Sequence, residues 1–293
     1  MKFSQAYGPN KFAISFELFP PKTDKGEAAL RRNVEQLVQL DPSFITCTYG
    51  AGGSTRGKTL DVVQWVADTF DLPVAAHLTC VGSTVDELRG FLAEAHTRGI
   101  ENIVALRGDP PRGETSFQAV EGGLHYANEL VALIRAEFPQ FGIAVAGYPE
   151  KHQECATPEL DLENLKRKVD AGANVVITQL FYDNEDFFRF RDRYQAAGIK
   201  VPLVPGLLPV TNFAQIQRIT SLCGARLPKT FVDKMSACGE DADEQFAVGV
   251  EYARSQTQEL VDAQVPGIHF YVLNKSSAAE QVLGAVDIPV RAA

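Results

Sequence analysis

Cysteine is sparse and unpatterned in this chain. There are five, Cys47, Cys80, Cys155, Cys223 and Cys238, and no pair has the two-residue gap of a zinc ribbon or a thioredoxin-type motif. The odd count fits a reducing compartment. His152 and Cys155 are three apart, but two candidate ligands do not make a metal site. Long hydrophobic runs are missing too: no stretch approaches the roughly 18 apolar residues of a membrane span. The opening MKFSQAYGPNKF contains no apolar signal segment. These absences lead us to expect a soluble, cytoplasmic protein with no membrane partner. The formal net charge is -9 and no basic block stands out, which argues against nucleic acid as a partner. An anionic ligand must therefore be held by local Lys and Arg. No linker rich in Pro, Gly or Ser and no low-complexity tract divides the 293 residues, so one domain over 1–293 is expected.

What is present is a rhythm. With 45% hydrophobic and 22% charged residues the chain can bury a large core. Short β-rich runs occur at Phe12–Leu18, Phe44–Thr48, Pro73–Cys80, Asn102–Arg107, Gly142–Ala146, Asn174–Gln179, Val201–Gly206 and Gly267–Val272. NIVALR, NVVITQ and VPLVPG are nearly continuous apolar runs, as strands covered on both faces should be. Amphipathic stretches lie between. Lys25–Leu40 places Leu30, Val34, Leu37 and Val38 on one stripe, and Thr84–Arg98 places Leu88, Phe91, Leu92 and Ala95 on another, with Ser83 or Thr84 as N-cap. Glu159–Ala171 carries Leu162, Leu165 and Val169 inward and a Lys/Arg run outward. Gly99 and Gly172 follow their helices where a left-handed cap is expected. Asp241–Ala263 reads as a long helix, and Leu227–Cys238 as a short additional one. Alternating strands and helices imply parallel pairing with right-handed crossovers. No Gly-rich dinucleotide fingerprint follows any strand, which favours a closed α/β barrel, a single (β/α)8 TIM barrel, over an open sheet.

In such a barrel the active site lies at the C-terminal ends of the strands. Polar residues gather there: Glu17 at strand one, Thr48 and Tyr49 at two, His77 and Thr79 at three, Arg107, Gly108 and Asp109 at four, Tyr148, Glu150 and His152 after five, Gln179 at six, Tyr271 and Asn274 at eight. One such residue is ordinary loop polarity; convergence on one rim points to a large polar ligand. Glu17, among Phe16, Leu18, Phe19 and the Pro20–Pro21 pair, reads either as a buried salt-bridge partner or as a carboxyl with raised pKa acting as a general acid. His77 between Ala76 and Leu78 reads as a satisfied core histidine as readily as a functional one. Arg107–Gly108–Asp109 is either an internal ion pair in a turn or a close backbone approach to a ligand with negative charge beside it. Lys166–Arg167–Lys168 is either a solvated helix face or a phosphate-neutralising run aided by the helix dipole.

Taken together, FELFPPKT (16–23), TYGAGGSTR (48–56), HLTC (77–80), ALRGDPP (105–111), GYPEKH (147–152), DLENLKRKVDAGANVVITQLFYD (161–183) and PGLLPVTNF (205–213) resemble the methylenetetrahydrofolate reductase family in its bacterial form, in family order over nearly the whole chain. The resemblance implies a flavoprotein oxidoreductase that reduces 5,10-methylenetetrahydrofolate to 5-methyltetrahydrofolate with NADH or NADPH, ping-pong through a bound FAD, supplying methyl groups for methionine synthesis. It also implies a homo-oligomer and site roles. Glu17 matches the general acid, and Asp109 the carboxylate beside flavin and pterin. Tyr49, Ala51, His77, Arg107, Gly108, Tyr148, His152, Asp161, Asn164, Arg167 and Lys168 match flavin-contacting positions; Tyr126, Ala127 and Cys155 match them over a looser alignment. Thr48 matches a nicotinamide-side contact. Gln179 and Phe213 match residues that meet nicotinamide and folate in turn, and Tyr271 and Lys275 belong to the folate side. Lys275 stands where relatives often carry Arg, which keeps the charge for the folate glutamate tail but loses the bidentate fork. No regulatory domain, and no S-adenosylmethionine inhibition through one, is expected. Two rivals remain: a Schiff-base lyase or aldolase, which needs a Lys at a strand end, and a non-catalytic folate or flavin carrier.

Overall fold

A computed structural model describes residues 1–8, 11–49, 56–110 and 117–289. In chain order the elements are α1 (Phe3–Ala6), β1 (Ala13–Leu18), α2 (Asp24–Val38), β2 (Phe44–Cys47), α3 (Arg56–Phe70), β3 (Val74–Thr79), α4 (Val85–Thr97), β4 (Asn102–Leu106), α5 (Ala127–Glu137), β5 (Gly142–Gly147), α6 (Pro158–Asp170), β6 (Val175–Leu180), α7 (Asn184–Ala196), β7 (Leu203–Leu207), α8 (Phe213–Cys223), α9 (Lys229–Ala237), α10 (Ala242–Asp262), β8 (Gly267–Tyr271) and α11 (Ser277–Leu283). The strands close in sequence order, β1 to β8, into one parallel barrel. All eight expected strands are there, each within two residues of its expected bounds, as are the short helix α9 and the long α10.

Local chemistry sets the boundaries. Thr84 is the N-cap of α4: its hydroxyl accepts the Glu87 N–H and Glu87 reaches back to the Thr84 N–H at 2.8 Å, a reciprocal box. Thr157 caps α6 with Pro158 in the first turn. Gly99 and Gly172 take φ of +75° and +121° just past α4 and α6. Helix stripes such as Leu30, Val34 and Leu37 are wholly buried against the outer face of the strands. Burial of each such side chain contributes roughly 1.5–3 kcal/mol.

The barrel interior has two ends of different character. At the N-terminal end α1 plugs it, with Phe3, Tyr7 and Phe44 packed among Ala13, Ala75 and Val104. Toward the other end the inner face turns polar. A third apolar cluster, including Tyr182, Leu208, Ile216, Phe231 and Met235, supports α8 and α9 beside β7. Among the described residues no helix is long and apolar enough to cross a membrane.

Candidate active site

Side chains on a strand alternate faces, so Ser15 and Glu17 on β1 share the inner face, and so do His269 and Tyr271 on β8. The β1–β8 register pairs Ser15 with His269 and Glu17 with Tyr271. His269 Nδ1 lies 2.8 Å from Ser15 Oγ, and its Nε2 lies 3.8 Å from Glu17 Oε2. From β3, His77 Nε2 approaches the same Glu17 oxygen at 3.4 Å without hydrogen-bond alignment. Glu17 is 7% exposed, so a carboxyl stands between two imidazoles, screened from bulk water. Burial pushes His77 down to about 4, against the pull of Glu17 and with a smaller push from His269. His77 is therefore neutral near pH 7. The Thr46 and Thr79 hydroxyls are also buried with no hydrogen-bond partner among the described residues.

The Tyr271 ring crosses the barrel mouth, and its hydroxyl donates to the Thr178 carbonyl at 2.7 Å. Gly206 makes this possible: a Cβ there would sit 2.2 Å from Thr178 O and 2.7 Å from the Tyr271 ring. Burial, then the charge of Glu17, push the Tyr271 phenol well up. Past β8, the Asn274 side chain clamps the Phe19 backbone, accepting from its N–H at 2.8 Å and donating to its carbonyl at 2.9 Å. The ends of β1 and β8 are thereby tied together.

A wall of charged and polar groups lies beyond β4 and β5. Arg107 pairs with Glu154 through both terminal nitrogens, at 2.6 and 2.7 Å. The internal Arg107–Asp109 ion pair, one of the two readings of that tripeptide, does not form: Asp109 is exposed and makes no ion pair among the described residues. Gly108 has φ +89°, and a Cβ there would meet Val81 Cγ1 at 2.6 Å, so only glycine brings this backbone so close. Tyr148 and His152 meet edge to face at 4.8 Å. The His152 N–H donates to Asp161 at 3.2 Å. Burial raises the Asp161 carboxyl, and burial with Arg107 lowers the His152 imidazole.

The Lys/Arg run does not face outward as a unit. Lys166 and Arg167 do, pairing with Asp170 and Glu163 along the helix. Lys168 turns inward: its ammonium donates to the Ala146 carbonyl of β5 at 2.6 Å and lies 5.8 Å from the Tyr148 ring centre. Arg167 and Lys168 occupy the last turn of α6, so the helix N-terminus does not assist them. Burial lowers the Lys168 amine to about 8, with Asp161 opposing. An amine therefore does reach a strand end, which the sequence had not suggested. Asn164 hydrogen-bonds Arg167 and the Cys155 sulfur, bringing that looser match into the group.

The remaining expected residues frame the mouth. Thr48 accepts the Thr59 hydroxyl at 2.8 Å through its carbonyl, and Tyr49 packs against Phe91. Ala51 lies outside the described residues. Tyr126 is the N-cap of α5 and 60% exposed, with Ala127 the first helical residue. Gln179 lines a hollow with Tyr148, Glu150, Lys151 and Cys223. A second hollow, beside β8, is lined by Tyr271, Thr211, Gln215 and the exposed Lys275. Phe213 opens α8, its N–H held by Gln245 at 2.8 Å. Sequence reasoning missed Ser15 and His269. Their period-two placement before Glu17 and Tyr271 was the available signal.

A buried carboxyl flanked by imidazoles, a rim of hydrogen-bonding groups and a wall of ion pairs, all toward the C-terminal ends of barrel strands, define a (β/α)8-barrel enzyme site. Which one follows from comparison. The family model described as "Methylenetetrahydrofolate reductase" matches residues 2–287, and the chain belongs to that family. The 5,10-methylenetetrahydrofolate reductase of Escherichia coli (strain K12) is 41% identical over 263 residues, covering 90% of this chain and 86% of that protein. Methylenetetrahydrofolate reductase (NADH) 1 of Zea mays is 36% identical over 292 residues, covering 96% of this chain but 49% of its own length. Among solved structures, a Clostridium thermocellum protein described as binding two copies of 5-methyl-5,6,7,8-tetrahydrofolic acid superposes with a TM-score of 0.63 at 15% identity, over 94% of this chain and 93% of that one. At that identity it shares the fold.

Proposed function

We propose that this chain reduces 5,10-methylenetetrahydrofolate to 5-methyltetrahydrofolate, using NADH or NADPH and a bound FAD, and so supplies methyl groups for methionine synthesis. The observation that carries the reading is Glu17, buried between His77 and His269 at the barrel mouth of a chain in this family. The maize relative is named for NADH, which makes NADH the first donor to try.

The residues present fit a flavin dinucleotide. His77 Nε2 and Thr79 Oγ1 are buried at the mouth without hydrogen-bond partners among the described residues, two polar atoms that a bound ring could satisfy. Lys168 and Asn164, with Arg107 and Arg167 once they exchange Glu154 and Glu163 for the ligand, would form a donor set suited to a diphosphate. Bound there, a flavin would supply a two-electron store between the nicotinamide and the folate methylene carbon.

The chain's own work is positioning and proton transfer. Glu17 donates its proton to the folate amine nitrogen that leaves the methylene bridge, opening the five-membered ring to an iminium. Such general-acid help is worth roughly 10²–10⁴-fold. In the tautomer in which Ser15 donates to Nδ1, His269 turns an N–H toward Glu17, 3.8 Å away, and steadies the carboxylate left behind. Asp109 places negative charge beside the cationic iminium. Gln179 and Phe213 hold the flat ring that stacks at the mouth, nicotinamide and then pterin. Lys275, at the rim past β8, meets the glutamate tail as a single ammonium.

Purification tests this directly: a yellow protein with flavin absorption bands that forms 5-methyltetrahydrofolate supports the reading. Bound folate or flavin without turnover would make it a carrier. The inward Lys168 amine, held at about 8, is the one observation favouring a Schiff-base enzyme. Covalent trapping of substrate by borohydride would establish that alternative.

A further inference from the structure

The segment that follows α8 is fastened to the catalytic face at Arg226. Both Glu150 oxygens accept the Arg226 backbone N–H, at 3.0 and 3.1 Å. The Arg226 guanidinium donates to Asp183, the N-cap of α7, at 3.2 Å and to Asp186 in the first turn at 2.8 Å. Its Nε lies 3.8 Å from Glu150. Just upstream, the Leu222 carbonyl accepts from Gln153 at 2.8 Å, and Gly224, at φ +77°, lets the backbone lie on that side chain. The end of α8 is thus pinned to the loops that leave β5 and β6. Those loops carry Tyr148 and His152 and follow Gln179. The opposite end of α8 carries Phe213, and Cys223 and Ala225 wall the hollow that Tyr148 and Gln179 line.

We infer that Arg226 is a positioning residue for the substrate face, its guanidinium clasping the end of α8 to Asp183 and Asp186 so that Phe213 and Gln179 keep the spacing a flat ring needs between them. The inference rests on the folate-reductase reading above. Half-exposed ion pairs contribute little to stability one by one. The apolar cluster around Ile216, Phe231 and Met235 holds α8 and α9 to the barrel without them. What the clasp adds is a fixed placement of the helix end over the site.

Glu150 gives the clasp a signature in pH. Burial pushes its carboxyl up to about 7; the Arg226 N–H pulls it down, Asp186 pushes up, and Arg226's charge and Asp183 act more weakly. The other groups around it are Cys223 on α8 and Lys151 in its own loop, whose ammonium is engaged by the His152 and Cys155 carbonyls. Arg189 is occupied by Asp186. Glu150 therefore gains its charge as pH rises through neutrality, and its pairing with the guanidinium strengthens with it. Removing the guanidinium takes a positive charge from beside Glu150, leaves Asp186 with Arg189 alone, and moves the Glu150 titration upward.

The experiment compares the flavin-loaded wild type with Arg226→Ala, Arg226→Lys and Glu150→Gln, measuring kcat, KM, flavin content and melting temperature between about pH 6 and pH 9. Arg226→Ala should raise KM for methylenetetrahydrofolate about tenfold, the effect of a modest misplacement, with flavin content kept. The inflection of KM near neutrality should move upward in Arg226→Ala, vanish in Glu150→Gln, and be largely restored in Arg226→Lys. Unchanged KM and inflection in Arg226→Ala overturn the clasp alone. So does a KM change accompanied by flavin loss and a lowered melting temperature that Lys does not rescue. A wild type that neither binds folate nor turns over overturns the folate reading and the clasp together.

Discussion

Arg107 and Glu154, 47 residues apart, form a bidentate ion pair that ties the end of β4 to the loop between β5 and α6. The pairing raises the guanidinium further and lowers the carboxyl, each through the hydrogen bonds they share. It also leaves Asp109, two residues from Arg107, outside any ion pair among the described residues, exposed and with its charge felt at Tyr148 and Cys223.

That charge predicts a redox effect. Adding electrons to a flavin ring is opposed by a nearby anion. Asp109→Asn should raise the flavin midpoint potential by tens of millivolts, roughly what one partly screened charge exerts at this range. It should also slow reduction of the folate. A spectroelectrochemical titration reads the potential, and an unchanged value removes the electrostatic role.

Lys168 predicts a pH dependence. Its amine titrates at about 8 rather than 10.5, lowered by burial. It is charged below that value and neutral above it. The native state therefore binds fewer protons than the unfolded chain between about 8 and 10.5, and this group's contribution to stability rises with pH across that window. Attraction for a diphosphate has the opposite sense, since the ammonium is lost on going above about 8. Flavin affinity of the apoprotein should weaken above pH about 8, and Lys168→Met should flatten that dependence. Equal affinity at pH about 7 and about 9.5 in the wild type would place the phosphates elsewhere.

The behaviour of Lys168 also marks where the sequence stops being informative. The strands and the stripes of α2, α4 and α6 follow from periodicity, because a side-chain period of 2 or 3.6 is a local property. Glu17 stood out as an acid in an apolar run. The direction of Lys168 was not visible, because it depends on which carbonyl of β5 lies beside that helix turn. Glu154 was equally hidden as the partner of Arg107, since a loop of that length has no register. His269 was legible in principle, two residues before Tyr271, but only closure of β8 on β1 brings it to Ser15 and Glu17.

Ala173 predicts a link between packing and cofactor. It is 4% exposed, between the end of α6 and the start of β6, and its N–H donates to the Lys168 carbonyl at 3.3 Å. Gly172 beside it packs under Arg135, so the junction has little room. Ala173→Val should cost on the order of 1–3 kcal/mol by overpacking. Because the displaced helix carries Asn164, Arg167 and Lys168, flavin should dissociate more readily on dilution. A variant that melts with the wild type and holds flavin as tightly would disprove the coupling.

Glu17 gives the most discriminating prediction, because the proposed scheme divides the work into two half-reactions. Transfer from nicotinamide to flavin needs no proton donor at the folate nitrogen; opening the methylene bridge does. Gln is nearly isosteric with Glu and keeps an oxygen facing His77 and His269, but it has no acidic proton to give. Glu17→Gln should therefore bind flavin and still be bleached by NADH or NADPH in a stopped-flow trace. Reoxidation by methylenetetrahydrofolate should fall by about 10²-fold or more, the scale of a lost general acid. Collapse of flavin reduction with reoxidation intact would assign Glu17 to the nicotinamide step instead. If both half-reactions kept their wild-type rates, Glu17 would be a structural partner of His77 and His269, and the proton would have to come from another group at the mouth.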